Sequence, residues 1–119
     1  MHPRLTNAQI DQGLEQLENW RLDSSKVNIY KTLEFDSFKT AMNFFVRVGE
    51  LAERLDHHPE VLSRYTHMRI QLTTHDACGL THKDFELAMH IDQLLTEGTG
   101  DGCKDISNWR GGGQPPSNL

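Results

Sequence analysis

From Tyr65 to His75 the chain alternates strictly between two sets of residues. Thr66, Met68, Ile70, Leu72 and Thr74 form one set, and Tyr65, His67, Arg69, Gln71, Thr73 and His75 form the other. Alternation at every second residue is the spacing of a strand, whose successive side chains point to opposite faces; a helix repeats its face about every 3.6 residues and cannot carry it. The segment therefore requires a sheet with one face turned to a core and the other polar. A fold built only of helices is excluded.

The rest of the chain supplies partners for that strand. Val27, Ile29, Lys31, Leu33 and Phe35 share one parity, with Lys31 off pattern, and Trp20 and Leu22 precede them across the turn residues Asp23-Ser24-Ser25. Two strands joined as a hairpin are expected. Three stretches carry helical spacing instead. Thr6 with Gln9 has the form of a capping box and opens a first helix over about residues 7–18, through Ile10, Leu14 and Leu17.

Asp36 is expected to cap a long second helix bearing Phe38, Ala41, Met42, Phe45, Val48, Ala52 and Leu55, with Phe44 and Leu51 widening its apolar stripe. That width predicts that a second subunit covers part of the helix. Pro59 disfavours helical geometry at His58, so this helix should stop around Asp56 to His57. Thr81 with Asp84 repeats the capping pattern ahead of Phe85, Ala88, Ile91 and Leu95. The order is helix, strand, strand, helix, strand, with room for one further strand, then helix. Without a helical crossover between every strand, the class is α+β with an antiparallel sheet.

A length of 119 residues fits one domain, assigned to residues 1–97. Six of nine glycines follow Glu97, together with Pro115 and Pro116, so residues 98–119 are expected to be a flexible tail without secondary structure, and Trp109 has no evident role in it. A net charge of -5 removes the attraction that draws proteins onto phosphate backbones or anionic lipid, which argues against a nucleic-acid partner. No signal core or apolar span is apparent, and Cys78 and Cys103 have neither disulfide-framework nor zinc-knuckle spacing. A cytoplasmic protein with free thiols is expected.

The chemistry concentrates in Glu53-Arg54-Leu55-Asp56-His57-His58-Pro59, Tyr65, Thr73-Thr74-His75-Asp76 and Asp84. Histidine is the side chain that gives or takes a proton most readily near neutral pH, and three of the seven lie here. His57 and His58 leave a helix C-terminus, where the negative end of the helix dipole and Asp56 suit one of them to act as an acid. His75 closes the polar face of the alternating strand; if that strand lies beside the helix end, three imidazoles meet. Asp76, Asp84 and Glu53 are near enough to orient them by accepting the second ring proton.

His2, His67, His82 and His90 are assigned structural or solvent-exposed roles. Imidazoles and carboxylates are also metal ligands, yet no ligand pair at the helical spacing of the zinc hydrolases occurs, and no metal is assigned. Cys78 as a nucleophile with His75 is the weaker reading beside a simply buried thiol, and neither a phosphate-binding glycine loop nor a serine elbow is present.

The run Glu53, three residues, His57-His58-Pro59, five residues, Tyr65, nine residues, His75, eight residues, Asp84 resembles the signature of the pterin-4a-carbinolamine dehydratases. The resemblance extends to Glu60, Gly79-Leu80, Phe35, Phe38 and Arg47-Val48, over about residues 5–96. It implies a four-stranded antiparallel sheet with helices packed on one face, assembled as a homodimer or homotetramer. It also implies loss of water from 4a-hydroxytetrahydrobiopterin to give the quinonoid dihydropterin, as part of tetrahydrobiopterin recycling, with neither metal nor coenzyme.

By that resemblance His57, His58 and His75 are the active-site histidines, while Glu53, Asp56, Pro59, Thr73, Thr74, Asp76 and Asp84 line or support the pterin pocket. Two departures stand out: Val61 replaces an aromatic residue common in relatives, and Cys78 is displaced by two positions from a frequent cysteine. Some members of the family also serve, without catalysis, as dimerisation cofactors of a homeodomain transcription factor, and that is the alternative function.

Overall fold

The computed structural model describes residues 3–96 and 103–105. The elements are helix α1 (Asn7–Glu15), strands β1 (Arg21–Leu22) and β2 (Ile29–Phe35), helix α2 (Phe38–Leu55), strands β3 (Glu60–Arg64) and β4 (His67–Leu72), helix α3 (His82–Thr96) and strand β5 (Cys103–Asp105). A single 3₁₀ turn, His75–Ala77, lies between β4 and α3. The strands run β1-β2-β4-β3, all antiparallel, and β5 pairs with the end of β2.

Register explains the alternating pattern. Ile29 faces Leu72, Lys31 faces Ile70 and Leu33 faces Met68, so the apolar parities of β2 and β4 share one face. On that face they bury against Ala41, Phe44, Val48 and Leu51 of α2, Leu87, Ala88 and Ile91 of α3, and Ile10 of α1. This is the α+β architecture that the sequence predicts. Gly13 lets α1 approach α3 closely, since a Cβ there would stand 2.6 Å from the Phe85 ring.

Lys31, the residue off pattern, is buried at 2% exposure. Its ammonium donates to Asp92 Oδ1 at 2.9 Å and to the Glu18 carbonyl at 2.7 Å, and Asp92 also accepts from the Trp20 indole at 2.9 Å and the Glu18 amide at 3.2 Å. A cation is tolerated inside because a carboxylate and a carbonyl meet it. The bond crosses from the sheet to α3 and to the chain leaving α1. At the β1–β2 turn Asp23 is pushed upward by burial, but donors from Asn28, Ser25 and Val27 outweigh that and hold its carboxyl below the ordinary range.

Several boundaries differ from expectation. α1 ends at Glu15, because Gln16 and Leu17 tighten onto the carbonyls of Gly13 and Leu14 and Asn19 then takes a positive φ of 60°. Ser37, in place of Asp36, caps α2: it is extended, and its hydroxyl accepts from the Thr40 amide at 3.1 Å. The further strand precedes the alternating one. Its residues are exposed except for a half-buried Val61, so it shows no hydrophobic alternation.

β4 is shorter than the alternating run. Tyr65, at φ 54°, and Thr66 make the two-residue turn of the β3–β4 hairpin, and beyond Leu72 the chain leaves the ladder, so His75 begins the 3₁₀ turn and does not end the strand. His67 lies on the face expected to be polar, yet is 3% exposed, with neither ring nitrogen hydrogen-bonded and Glu34 3.6 Å away. In the segment expected to lack secondary structure, Cys103–Asp105 pairs with Leu33–Phe35. His2 and Trp109 fall outside the described residues.

Candidate active site

The end of α2 delivers the two adjacent histidines in different directions. Asp56 adopts left-handed geometry, φ 52° and ψ 46°; its amide bonds to the Glu53 carbonyl at 3.3 Å and the His57 amide to the Ala52 carbonyl at 3.0 Å. This paired closure is the Schellman arrangement, which satisfies the last helical carbonyls and reverses the chain. Lys83 of α3 donates to the Asp56 carbonyl at 3.0 Å and ties the reversal to the start of α3. Asp56 thus contributes through its backbone, and its side chain is exposed.

His57 turns inward. Its side chain is 10% exposed and its Nε2 lies 2.6 Å from Oδ1 of Asp84, which is fully buried. Asp84 sits in the first turn of α3, where its Oδ2 accepts from the Thr81 amide at 2.9 Å and the Thr74 hydroxyl at 2.8 Å. A carboxylate is costly to bury unless donors surround it, and here imidazole, hydroxyl and backbone amide all point at it. With Oδ1 acting as acceptor, the proton of the His57 contact belongs on Nε2, leaving Nδ1 as the nitrogen able to exchange a proton.

His58 turns outward and meets Glu53 at 2.5 Å, with side-chain exposures of 58% and 79%. Solvent weakens such a pair, so it orients His58 more than it stabilises the fold. Thr74 forms an isolated bridge with Gly79 that closes the turn containing His75, and His75 is exposed. Because the Thr74 hydroxyl touches Asp84, the backbone of His75 stands one residue from the group that holds His57.

The other expected residues divide. The Thr73 hydroxyl donates to the Val27 carbonyl at 2.5 Å, so it fastens the strand end to the β1–β2 loop. Asp76 is exposed, and Pro59 is half-buried just after His58. The structure thus joins His57, Thr74 and Asp84 directly, pairs His58 with Glu53, and leaves His75 exposed, one residue along the chain from Thr74. Thr81, read from the sequence only as a helix cap, is fully buried against both Thr74 and Asp84. Its signal was the capping box itself, since the box's second member is the carboxylate that His57 contacts. Among the described residues no three His, Cys, Asp or Glu side chains gather as a metal-binding group.

A family model described as pterin 4 alpha carbinolamine dehydratase matches residues 3–94. Proteins named as candidate pterin-4-alpha-carbinolamine dehydratases align over nearly their whole length. One from Chloroflexus aurantiacus is 43% identical over 93 residues, covering 78% of this chain and 98% of that protein. One from Sulfurisphaera tokodaii is 42% identical over 93 residues, with the same 78% and 98% coverage.

Among solved structures, a transcriptional coactivator/pterin dehydratase from Brucella melitensis superposes with a TM-score of 0.74 at 31% identity, covering 76% of this chain and 97% of that one. A pterin dehydratase-like protein identified as a RuBisCO assembly factor in the alpha-carboxysome shares the fold, with a TM-score of 0.56 at 22% identity over 65% of this chain and 89% of that one.

Proposed function

The chain belongs to the pterin 4 alpha carbinolamine dehydratase family, and from that membership we propose that it is a hydro-lyase converting 4a-hydroxytetrahydrobiopterin to the quinonoid dihydropterin by histidine acid/base catalysis. The observation that carries the proposal is the His57–Asp84 contact, in which a buried carboxylate fixes the ring of a histidine at family-matching positions.

The reaction needs two proton transfers. An acid protonates the oxygen on C4a as the C–O bond breaks and water leaves; a base takes the proton from N5 as the N5=C4a double bond forms. Two imidazoles in opposite protonation states perform both, and His57 and His75 are the pair assigned here. His58, held by Glu53 at the outer side of the same helix end, orients the pterin or serves as an alternative acid. Glu53, Asp56, Pro59, Thr73, Thr74, Asp76 and Asp84 line or support the pocket, and the chemistry calls for neither metal nor coenzyme. A cytoplasmic site of action is part of this proposal; among the described residues no helix is long and apolar enough to cross a membrane.

His75→Ala tests the division of roles. His75 is exposed at a turn, so the variant should fold as the wild type does while kcat falls about 100-fold. Wild-type turnover in a folded His75→Ala protein would remove His75 from proton transfer.

A second reading is favoured by Phe38, Phe45 and Val46, which leave α2 exposed at 48%, 41% and 60%. Apolar area of this kind marks a docking face. A second copy of the chain, giving a homodimer or homotetramer, is the occupant assigned here; a homeodomain transcription factor is the occupant in the non-enzymatic alternative. The Phe44 and Leu51 side chains, expected to widen that face, instead belong to the core. A pull-down with such a factor, set beside the solution mass of the free protein, separates the two occupants.

A further inference from the structure

We infer that Thr81 is a positioning residue of the acid/base site, acting on His57 through Thr74 and Asp84. The inference rests on the dehydratase reading for its consequence in turnover, and on geometry alone for its consequence in the imidazole.

Proton counting sets the direction of the chain. Asp84 as a carboxylate only accepts, so the proton of the Thr74 hydroxyl is committed to Asp84 Oδ2 at 2.8 Å. A hydroxyl has one proton, so in its 2.8 Å contact with Thr81 the Thr74 oxygen is the acceptor and the Thr81 hydroxyl the donor. The Thr81 oxygen in turn accepts from the Lys83 amide at 3.2 Å. Every donor is used once: Lys83 amide to Thr81, Thr81 to Thr74, Thr74 to Asp84, and His57 Nε2 to the other carboxylate oxygen at 2.6 Å. Thr81 and Asp84 are both fully buried, so water does not readily replace a missing member. Hydrogen bonds in such a chain polarise one another, which makes its far end sensitive to its near end.

Thr81 has the position of a helix cap, and a cap needs only to accept from the first turn. Donation to Thr74 is the additional task. Without it the Thr74 hydroxyl still donates to Asp84 but loses the donor that orients and polarises it, its bond to Oδ2 weakens, and the ring of His57 is held less firmly to a single tautomer.

The test joins kinetics to nitrogen NMR of the His57 ring. In the wild type, above the pH at which the ring is doubly protonated, the long-range proton–nitrogen spectrum should place the proton on Nε2; a proton on Nδ1 alone would overturn the chain's direction, and this reading requires no variant to fold. In folded Thr81→Val, kcat should fall about 10-fold at unchanged KM with the His57 nitrogens averaging between tautomers, and Thr81→Ser should return to within about twofold of wild type. Thr81→Val that melts earlier but keeps wild-type kcat and the wild-type His57 signals would show a cap and nothing more, overturning the inference. If the wild type dehydrates no pterin, the proposed function fails, and the tautomer response in Thr81→Val still decides the role of Thr81.

Discussion

His57→Ala should lower the rate of 4a-hydroxytetrahydropterin dehydration about 10²- to 10⁴-fold, the span that a positioned acid or base contributes. His57 is the imidazole that the structure holds most firmly, by a 2.6 Å contact with a buried carboxylate. Asp84→Asn is the informative companion. The amide nearly preserves size, but its nitrogen donates, so if it faces His57 it selects the opposite tautomer and removes the proton-exchanging role from Nδ1. We expect Asp84→Asn to lose most of what His57→Ala loses, with little further loss in the double variant, because the two act as a unit. Independent, multiplicative losses would contradict that coupling. Stopped-flow absorbance on folded variants makes the comparison.

Asp92→Ala should cost about 3–5 kcal/mol of folding stability, the usual penalty for removing one partner of a buried ion pair. Lys31 and Asp92 have side-chain exposures of 3% and 17%, so the ammonium left behind stays inside the protein. The Trp20 indole, donating to the same carboxylate oxygen at 2.9 Å, loses its acceptor too. For a domain whose whole stability is about 5–15 kcal/mol, such a loss leaves little margin. Replacing both partners with apolar residues, as in Lys31→Met with Asp92→Leu, should recover much of it, since no charge is then stranded. Urea midpoints at constant slope measure both effects, and a loss below about 1 kcal/mol in Asp92→Ala would mean that the pair is effectively solvated.

Legibility in the sequence followed burial. β2 and β4 lie against helices on one face only, so their apolar residues alternate, and α2 and α3 bury stripes at helical spacing. β3 precedes β4, whereas the sequence leaves room for a further strand only after it, because an edge strand with only Val61 half-buried carries no alternation. Lys31 broke the pattern of β2 for a reason invisible locally, since Asp92 lies 61 residues away in sequence. The burial of His67, and the pairing of Cys103–Asp105 with β2, likewise depend on contacts between distant segments.

The candidate site was legible by position more than by role. Glu53, His57, His58, His75 and Asp84 are singled out by a spacing that resembles the family's, whereas which residues touch depended on two local geometries. One is the left-handed Asp56, which sends His57 inward and leaves His58 outside. The other is the start of α3, where a capping carboxylate is also the partner of His57. A capping box written only as a helix signal hides the second use of its acid.

The most direct measurement is the decay of the ultraviolet absorbance of freshly generated 4a-hydroxytetrahydropterin, with and without the purified wild-type protein, in the presence of a chelator. A dehydratase should make the decay faster than in buffer and proportional to protein concentration. A well-folded protein that leaves the buffer rate unchanged would contradict the dehydratase reading, and would move the function from the histidines to the exposed face of α2.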